Sequence, residues 1–463
     1  MLQIKKYNLI AWGTLLLFSL VSVLVIVINA SSNEQYLMAL LPFVYIVAIT
    51  FSGALMNLID FSSPSFTVIN LLYFIKCVIY PAVNVISSTT YISGNKDTLL
   101  AVSLEIGEVI VIYLIYFIYN RFFQSSGFSR QNAEYSIEQN HWNNGRFIIF
   151  CFLLFVVGII LVFPSALSSY NFFTVGSLEE IYDGLSESDG NGFVTLIIKL
   201  ARYILVAFAL EWFFSRYRET EKNKYVLGAI VLVALSIMIV RGVSRSDFII
   251  PGLCGYMLLV RLFPRQSKVV SVSLLGSLVV VFITFSLTRY GEITDLNEIS
   301  ETLQAYFCCE KNMAISISAR RIYADEIGLK TLFSDLFGNW AGVGDLFRGE
   351  HNISEYFNYV YYGHRLTIDQ VVPTIGQAYM QFGGWGTYIY SIVMVVACLF
   401  LDQQYRKSDK IEFSYLYLYG AIKCAVTLMG NIKIFSATVF NVLLPMFLLF
   451  WLNQKISMKR SAK

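Results

Sequence analysis

The chain contains about twelve apolar stretches whose lengths approach the thickness of a lipid bilayer, and this feature limits its fold more than any other. A helix needs about 20 apolar residues to cross roughly 30 Å of hydrocarbon, and it satisfies its own backbone hydrogen bonds there. The stretches lie at about residues 7–29, 37–58, 66–88, 98–119, 147–164, 193–214, 225–240, 248–262, 269–288, 385–401, 411–430 and 434–452. The sequence therefore predicts an all-α, polytopic membrane protein with about twelve transmembrane helices.

The composition excludes a soluble globular protein. Of the 463 residues, 56% are hydrophobic and 14% are charged, whereas soluble domains carry about 25% charged residues. The seven cysteines show no metal-type spacing, and most lie within apolar stretches, where cysteine behaves as a small core residue. We therefore expect no metal and no other cofactor.

Lysine and arginine are concentrated in alternate loops, and this bias orients the helices. Loops rich in these residues stay in the cytoplasm, so we expect both termini on the cytoplasmic side. The basic residues that this topology assigns to short outer loops are Lys96, Arg241, Arg245 and Lys433.

Two predicted outer segments are long. Residues 165–192 are acidic and contain no Lys or Arg, and residues 289–384 form the largest polar segment. Asp295 or Asn297 is placed to cap a helix that runs from about 296 to 326 in the second segment. We therefore expect residues 1–288 to hold helices one to nine, 289–384 to form a large external loop, and 385–463 to hold helices ten to twelve and a cytoplasmic tail.

The outer turn VRGVSRSDF, Val240 to Phe248, places Arg241 and Arg245 outside, against the charge bias. Arginine's planar guanidinium stays charged and binds phosphate oxygens through two parallel hydrogen bonds. The turn therefore predicts a site for an anionic group at the membrane edge. Two structural alternatives stay open: arginines at helix ends often extend to lipid headgroups, and Ser246 or Asp247 is placed to cap the next helix.

Further polar residues cluster on the same predicted face. Arg289, Tyr290 and Glu292 lie where the ninth helix ends, and the segment YYGHRLTIDQ contains His364, Arg365 and Asp369. A run with Pro373, Thr374, Gly376, Gly383 and Gly384 follows and leads into the tenth helix, although these glycines also suit close helix packing. The predicted outer face thus carries cations, candidate bases and a glycine-rich helix entry.

Inside the apolar stretches, Glu105 and Glu108 are the most conspicuous ionisable residues. Acids within membrane helices are usually functional or paired. Lys76, in the third stretch, is the predicted partner. Arg320 and Arg321, in the long outer segment, fit a solvated helix face better than a site.

Five aromatic residues precede Gly363: Tyr356, Phe357, Tyr359, Tyr361 and Tyr362. Aromatic rings stack on the apolar faces of sugars, so this run predicts a sugar-contacting platform. In an extended segment, Tyr359 and Tyr361 would share one face. The alternative is that about half of these rings pack the segment in place.

The order of these motifs resembles that of the O-antigen and capsule repeat-unit polymerases, the Wzy type. The resemblance rests on Gly242 to Arg245, Arg289-Tyr290-Gly291, and Pro373-Thr374 with Gly383-Gly384, separated by a long outer segment. It covers about residues 225–405 together with the number of apolar stretches. The first 220 residues match only in hydropathy.

The resemblance implies a glycosyltransferase C-like fold in the cytoplasmic membrane of a bacterium, with an outward-facing site. Such enzymes transfer a growing glycan from undecaprenyl diphosphate to the next lipid-linked oligosaccharide unit, without a nucleotide sugar or a metal. The roles that follow are diphosphate binding by Arg241, Arg245, Arg289 and Arg365, and sugar contact by Tyr290, Tyr359 and Tyr361. An outer-loop histidine is implicated in related O-antigen ligases, so His364 is the candidate base, with Asp369 or Glu292 as substitutes. Membrane lipid and a polysaccharide chain-length regulator are the expected partners, and nucleic acid is not.

Three other functions stay open. An O-antigen ligase would use the same chemistry with a different acceptor. A flippase or transporter for the same lipid would hold its charges near the membrane midplane, whereas most charges here lie at the predicted outer edge. The third is a non-catalytic assembly subunit.

Overall fold

We analysed a computed structural model of the chain. The structure describes residues 2–52, 63–87, 95–122, 146–167, 170–172, 192–241, 246–290, 295–349, 351–363 and 371–461. These residues are almost entirely helical.

The described residues up to Tyr290 form eleven α-helices. They are α1 Leu2–Asn29, α2 Asn33–Met38, α3 Leu40–Phe51, α4 Pro64–Phe74, α5 Tyr80–Ser87, α6 Asn95–Phe122, α7 Phe147–Val162, α8 Gly192–Thr220, α9 Asn223–Met238, α10 Ser246–Leu262 and α11 Ser267–Tyr290. A π-helical segment, Ile75–Ile79, joins α4 to α5. Strands β1 (Tyr170–Phe172) and β2 (Ile239–Arg241) form a short antiparallel ribbon.

The described residues from Leu296 onward form nine more α-helices. They are α12 Leu296–Phe307, α13 Glu310–Tyr323, α14 Leu329–Phe337, α15 Ile353–Tyr362, α16 Thr374–Phe382, α17 Ile389–Lys407, α18 Ile411–Thr427, α19 Ile432–Thr438 and α20 Leu444–Ser461. A second π-helical segment, Val439–Leu443, joins α19 to α20. Single 3-10 turns lie at Pro164–Leu167, Pro264–Gln266, Gly344–Leu346 and Gly384–Gly386.

The chain is a multi-pass α-helical membrane protein. Within the described ranges, seven helical segments are long and apolar enough to cross a membrane. They are Asn8–Asn29, Asn33–Phe51, Pro64–Ser87, Asp97–Phe122, Gly192–Thr220, Gly384–Lys407 and Ile432–Ile456. A pair bent by 112°, Asp247–Leu262 with Pro264–Val281, gives up to eight, and α7 and α9 are shorter apolar helices. Each of the predicted apolar stretches is mostly helical where it is described, although the stretch 225–240 ends in strand β2. The count of twelve spans stays a prediction.

The helices form two compact units. The first comprises Met1–Gln131, Thr294–Phe400 and Lys423–Thr438. Its helix α13 packs against α6 and α16, so residues of the predicted external segment share a core with the first helices of the chain. The predicted external position of 289–384 stays a prediction.

The second unit comprises Asn132–Ile293, Leu401–Ile422 and Val439–Lys463. Helices α8, α9, α10 and α11 pack in sequence order. Arg261 joins α10 to the end of α17 and the turn after it, because its guanidinium donates to the carbonyl oxygens of Tyr405 (2.7 Å) and Ser408 (2.8 Å). Arg261 therefore has a structural task within this unit.

The start of the long polar segment agrees with one prediction and corrects another. Asp295 caps α12, since its carboxylate accepts from the backbone nitrogen of Glu298 at 2.9 Å. The predicted continuous helix is wrong, because Cys308 takes a left-handed conformation with φ 47° and ends α12. This conformation usually calls for glycine, and a cysteine at this position does not indicate a helix break.

Candidate functional site

Half of the ten site residues assigned from sequence lie outside the described ranges. These are Arg245, Glu292, His364, Arg365 and Asp369. The backbone of Arg241 pairs with that of Tyr170 across the β-ribbon, and Arg289 and Tyr290 are the last residues of α11. For these three only the backbone is described, so their predicted roles stay predictions.

Charged side chains of α8 contact the ends of the two helices that flank the 241–245 turn. The ammonium of Lys199, on α8, lies 2.8 Å from the carboxylate of Asp247, in the first turn of α10. Arg202, one helical turn further along α8, donates to the carbonyl oxygens of Ser236 and Asp247. Since Ser236 is near the end of α9, Arg202 ties together the two helices that the turn connects.

We call Lys199, Arg202, Arg241, Arg245 and Asp247 the basic turn cluster. By sequence it holds four basic residues and one acid, and the structure describes the side chains of Lys199, Arg202 and Asp247. The side chains of Lys199 and Asp247 keep 27% and 12% of their surface exposed, so the ammonium of Lys199 is partly exposed and the carboxylate of Asp247 is largely buried. Lys199 and Arg202 were not among the predicted site residues, although two cations within one predicted span indicate a functional or paired site.

A second charged group lies in the first unit. Lys76, on the π-helical segment, has its ammonium 3.2 Å from a carboxylate oxygen of Glu105 and 3.5 Å from one of Glu108, both on α6. The predicted partnership of Lys76 with the two glutamates is therefore confirmed. The hydroxyl of Ser391 donates to Glu108 at 2.7 Å.

Helix α13 brings a third glutamate to the same place. One carboxylate oxygen of Glu310 accepts from the hydroxyl of Tyr80 at 2.6 Å and from the amide of Asn84 at 3.1 Å. Burial, and then the charge of Glu105, raise the pKa of Glu310 to about 8, although the hydrogen bond from Tyr80 acts in the opposite direction. We call Lys76, Glu105, Glu108 and Glu310 the buried acid cluster.

The aromatic run before Gly363 is helical rather than extended, so the predicted alternation of its side chains is wrong. In α15, Tyr356 and Phe357 are buried and pack in a core with Ile353 and Ile327. This supports the alternative that some of these rings hold the segment in place.

Two of the three tyrosines assigned to sugar contact, Tyr359 and Tyr361, differ in exposure. Tyr359 is 38% exposed, with its ring edge against Tyr323. Tyr361 is half-buried, and its hydroxyl accepts from the ammonium of Lys311 at 3.3 Å. Tyr359 is therefore more exposed to a ligand than Tyr361 is.

The expectation of a solvated face at Arg320 is wrong, because its guanidinium donates to the backbone carbonyls of Met380 and Gln381 at the end of α16. Arg321 is 65% exposed and pairs with Asp97. These two neighbours therefore have different tasks, one capping a helix end and the other forming a surface ion pair.

The glycine-rich helix entry has a packing role in the structure. A Cβ on Gly376 would lie 2.3 Å from the hydroxyl oxygen of Ser316, so α16 and α13 approach closely there. Gly383 ends α16 with φ +71°, which glycine adopts readily. The hydroxyl of Thr374 donates to the carbonyl oxygen of Gly430 at 2.9 Å. These contacts agree with the close-packing interpretation of the motif.

Asp335, on α14, is a further buried carboxyl that the sequence did not indicate. One of its oxygens accepts from the side-chain amides of Gln377 and Gln381, each at 2.9 Å. Burial raises its pKa to about 7. At 1% exposure, Asp335 organises α14 and α16 rather than contacting a sugar.

The described residues contain no group of three or more His, Cys, Asp or Glu arranged to hold a metal. His351 pairs with Glu355 at 2.9 Å. Comparison of the chain with protein-family models, with curated proteins and with solved structures found no match.

Proposed function

We propose that the protein is a polymerase that joins undecaprenyl-diphosphate-linked oligosaccharide repeat units into a surface polysaccharide. With this function we propose about twelve spans, a glycosyltransferase C-like arrangement, and a site at the outer face of a bacterial cytoplasmic membrane. The observation that carries the proposal is the described part of the basic turn cluster, where Lys199 and Arg202 meet Asp247 at the helix end that adjoins the turn of Arg241 and Arg245.

This charge pattern suits a diphosphate. Each phosphate carries negative charge that arginine binds in bidentate fashion, and the cluster's excess of positive charge remains after Lys199 pairs with Asp247. Arg202 holds the ends of α9 and α10 in place. The flanking residues of the turn are thereby fixed before a ligand arrives, which reduces the ordering cost of binding.

In the proposed reaction, the bond between the anomeric carbon of the donor glycan and its diphosphate oxygen breaks. A bond forms from that carbon to a hydroxyl oxygen of the acceptor sugar. The acceptor's proton passes to a base, for which His364 is the candidate and Asp369 or Glu292 the substitutes. The leaving diphosphate keeps the electron pair, and Arg241, Arg245, Arg289 and Arg365 stabilise its charge.

The test uses purified protein in lipid vesicles that also contain a defined lipid-linked repeat unit. A polymerase lengthens the glycan, and the products form a ladder of chain lengths on a gel. An O-antigen ligase would instead transfer glycan to a different acceptor when one is supplied. Absence of any glycan transfer under both conditions would contradict the proposal.

One observation favours a second function, transport of the same lipid-linked oligosaccharide across the membrane. Lys76 lies near the middle of the span Pro64–Ser87, and its acidic partners Glu105 and Glu108 lie within Asp97–Phe122. Transporters place charged groups near the midplane. In the vesicle assay, movement of the lipid between leaflets without chain lengthening would identify this function.

A further inference from the structure

The buried acid cluster is isolated from solvent. Lys76, Glu105, Glu108 and Glu310 have exposures of 1%, 1%, 0% and 3%. They come from three separate parts of the first unit: the π-helical segment after α4, the span α6, and helix α13. Since none of the four reaches water, their charges must be balanced by one another or by something bound among them.

The charges of the four residues do not balance. One ammonium contacts Glu105 and Glu108, and the charges of Glu105 and Lys76 both act on Glu310. If every group were ionised, three negative charges would surround one positive charge. A low-dielectric interior strongly disfavours such an excess, and buried acids respond by taking up protons.

Unsatisfied oxygen atoms point to the same conclusion independently. The second carboxylate oxygen of Glu310 and one oxygen of Glu105 have no hydrogen-bond donor in the described part of the structure. The other oxygen of Glu105 has only the ammonium of Lys76 near it there. Glu105 and Glu310 are more than nine-tenths buried. Buried polar atoms are normally hydrogen-bonded, and a protonated carboxyl supplies the missing O–H donor.

A metal cation is a poorer ligand for this place than a proton. The ammonium of Lys76 already lies 3.2 Å and 3.5 Å from the two acids of α6, and it would repel a second cation. A proton adds no bulk to a closed core. It also converts a carboxylate that only accepts hydrogen bonds into a group that donates one.

We propose that the buried acid cluster is an exchangeable proton-binding site that joins helix α13 to the membrane spans of the first unit. When the proton is bound, Glu310 is neutral and α13 stays docked. When the proton leaves, the negative charges of Glu105, Glu108 and Glu310 repel one another across the contact between α13 and α6, and this contact weakens. The site is separate from the diphosphate chemistry proposed above, since it shares no residue with the basic turn cluster.

The neighbouring titratable groups do not change this balance. Those that face the four residues are Tyr73, Cys77, Tyr80, Cys308, Cys309, Lys311 and Tyr388. Lys311 follows Glu310 in the chain, but it is partly exposed and also interacts with the exposed Glu301, so solvent screens its charge. Tyrosine and cysteine side chains are ordinarily neutral at physiological pH. The glutamates and Lys76 therefore set the charge of the site.

Infrared spectroscopy of the purified full-length protein tests the proposal directly. A protonated carboxyl has a C=O stretch distinct from that of a carboxylate and shifts when D2O replaces water. We expect wild-type protein, with its glutamates labelled with 13C, to show a glutamic acid signal that disappears as the pH is raised past about 8. The labelling separates this signal from that of the buried Asp335.

Isosteric variants assign the signal to residues. Glu310→Gln, Glu105→Gln or Glu108→Gln should remove or reduce it, because each removes one carboxyl from the shared site. Glu298→Gln, which changes an exposed acid on α12, should leave it unchanged. The proposal is overturned if labelled wild-type protein shows no glutamic acid signal on either side of pH 8, or if none of the three cluster variants alters that signal.

Hydrogen–deuterium exchange adds a readout of docking. Backbone exchange over Glu310–Tyr323 should rise in wild-type protein above pH 8, relative to Glu310→Gln at the same pH. This comparison cancels the intrinsic pH dependence of exchange. Equal exchange in the two proteins at every pH would overturn the link between the proton and α13.

Discussion

The two charged clusters of the protein balance their charges in different ways. The buried acid cluster has exposures of at most 3% and an excess of acids, so its charges must be neutralised internally. The basic turn cluster has an excess of cations, and Lys199 keeps 27% of its side-chain surface exposed. Headgroups, solvent ions or an anionic ligand can neutralise it from outside.

Because of this difference, variants in the two clusters should show their effects in different measurements. Changing a charge in a closed site alters the free energy of unfolding and its pH dependence. Changing a charge in an accessible site mainly alters the binding of charged ligands and is screened by salt. Variants in the two clusters therefore test whether one is structural and proton-binding while the other binds an anion.

The largest effect is expected at the arginines of the basic turn cluster and of the end of α11. Arg245→Ala and Arg289→Ala should each abolish polymer while leaving membrane insertion intact, because the leaving diphosphate loses its charge stabilisation. Arg→Lys at the same positions should retain part of the activity, since a point charge lacks the bidentate geometry. The measurement is the glycan profile of cells that express each variant, alongside protein level in the membrane.

Arg348→Ala is the matched control, because Arg348 is 66% exposed and pairs locally with Asp345. It should leave chain length unchanged. Normal polymer in Arg245→Ala or Arg289→Ala cells would remove that arginine from the proposed site.

The next largest effect is expected at Lys76. Lys76→Met removes the cation that contacts Glu105 and Glu108 and leaves uncompensated buried charge, which costs about 3–5 kcal/mol in comparable cases. Adding Glu105→Gln to Lys76→Met should recover part of this loss, because it removes one of the stranded charges.

Denaturant unfolding in detergent micelles measures both Lys76 variants. Lys330→Met, at an exposed position on α14, is the control and should unfold like wild type. If Lys76→Met did so as well, the buried acid cluster would be structurally unimportant, and the contrast between the two clusters would fail.

A smaller effect is expected in the pH dependence of stability. The folded-state pKa of Glu310 is raised from its ordinary 4.5 to about 8, so the folded protein binds more protons than the unfolded chain between these values. The contribution of Glu310 to the free energy of unfolding should therefore be largest below about pH 4.5 and should fall as the pH rises to 8. The steepest slope for one group is about 1.4 kcal/mol per pH unit.

Glu310→Gln should flatten this slope between about pH 4.5 and 8. Unfolding midpoints measured at several pH values for wild type and variant give the comparison, with Glu298→Gln as the exposed-acid control. Parallel curves for wild type and Glu310→Gln would show that Glu310 does not carry a proton in the folded protein.

The sequence predicted the parts of this fold that depend on local signals. Long apolar stretches predicted the membrane helices, and Asp295 was identified as a helix cap because a cap acts within one turn. The partnership of Lys76 with Glu105 and Glu108 followed from the cost of leaving charges unpaired in lipid. Each of these rests on spacing or on a penalty that applies wherever the chain folds.

The features that the sequence did not predict depend on distant contacts. Glu310 joins the acids of α6 through a hydrogen bond to Tyr80, which lies 230 residues earlier in the chain. Arg202 finds its acceptors at Ser236 and Asp247 only after α8, α9 and α10 pack together. The side-chain directions around Tyr359 were predicted for an extended segment, whereas the segment is a helix.

The smallest effect is expected at Asp247, and it sharpens the comparison from the basic side. The Lys199–Asp247 pair is partly exposed, so Asp247→Asn should change the free energy of unfolding by less than about 1 kcal/mol. Asn keeps the backbone carbonyl that accepts from Arg202, and it frees the ammonium of Lys199 for a phosphate. The apparent KM for the lipid-linked donor should therefore fall, by up to about fivefold if 1 kcal/mol of attraction is gained, and the gain should shrink at high salt.

Steady-state rates in vesicles at two salt concentrations measure this, with Glu219→Gln, from the exposed pair with Arg216, as the control. A KM that rises in Asp247→Asn would mean that the carboxylate organises the turn, and the basic turn cluster would then share the structural character of the buried one.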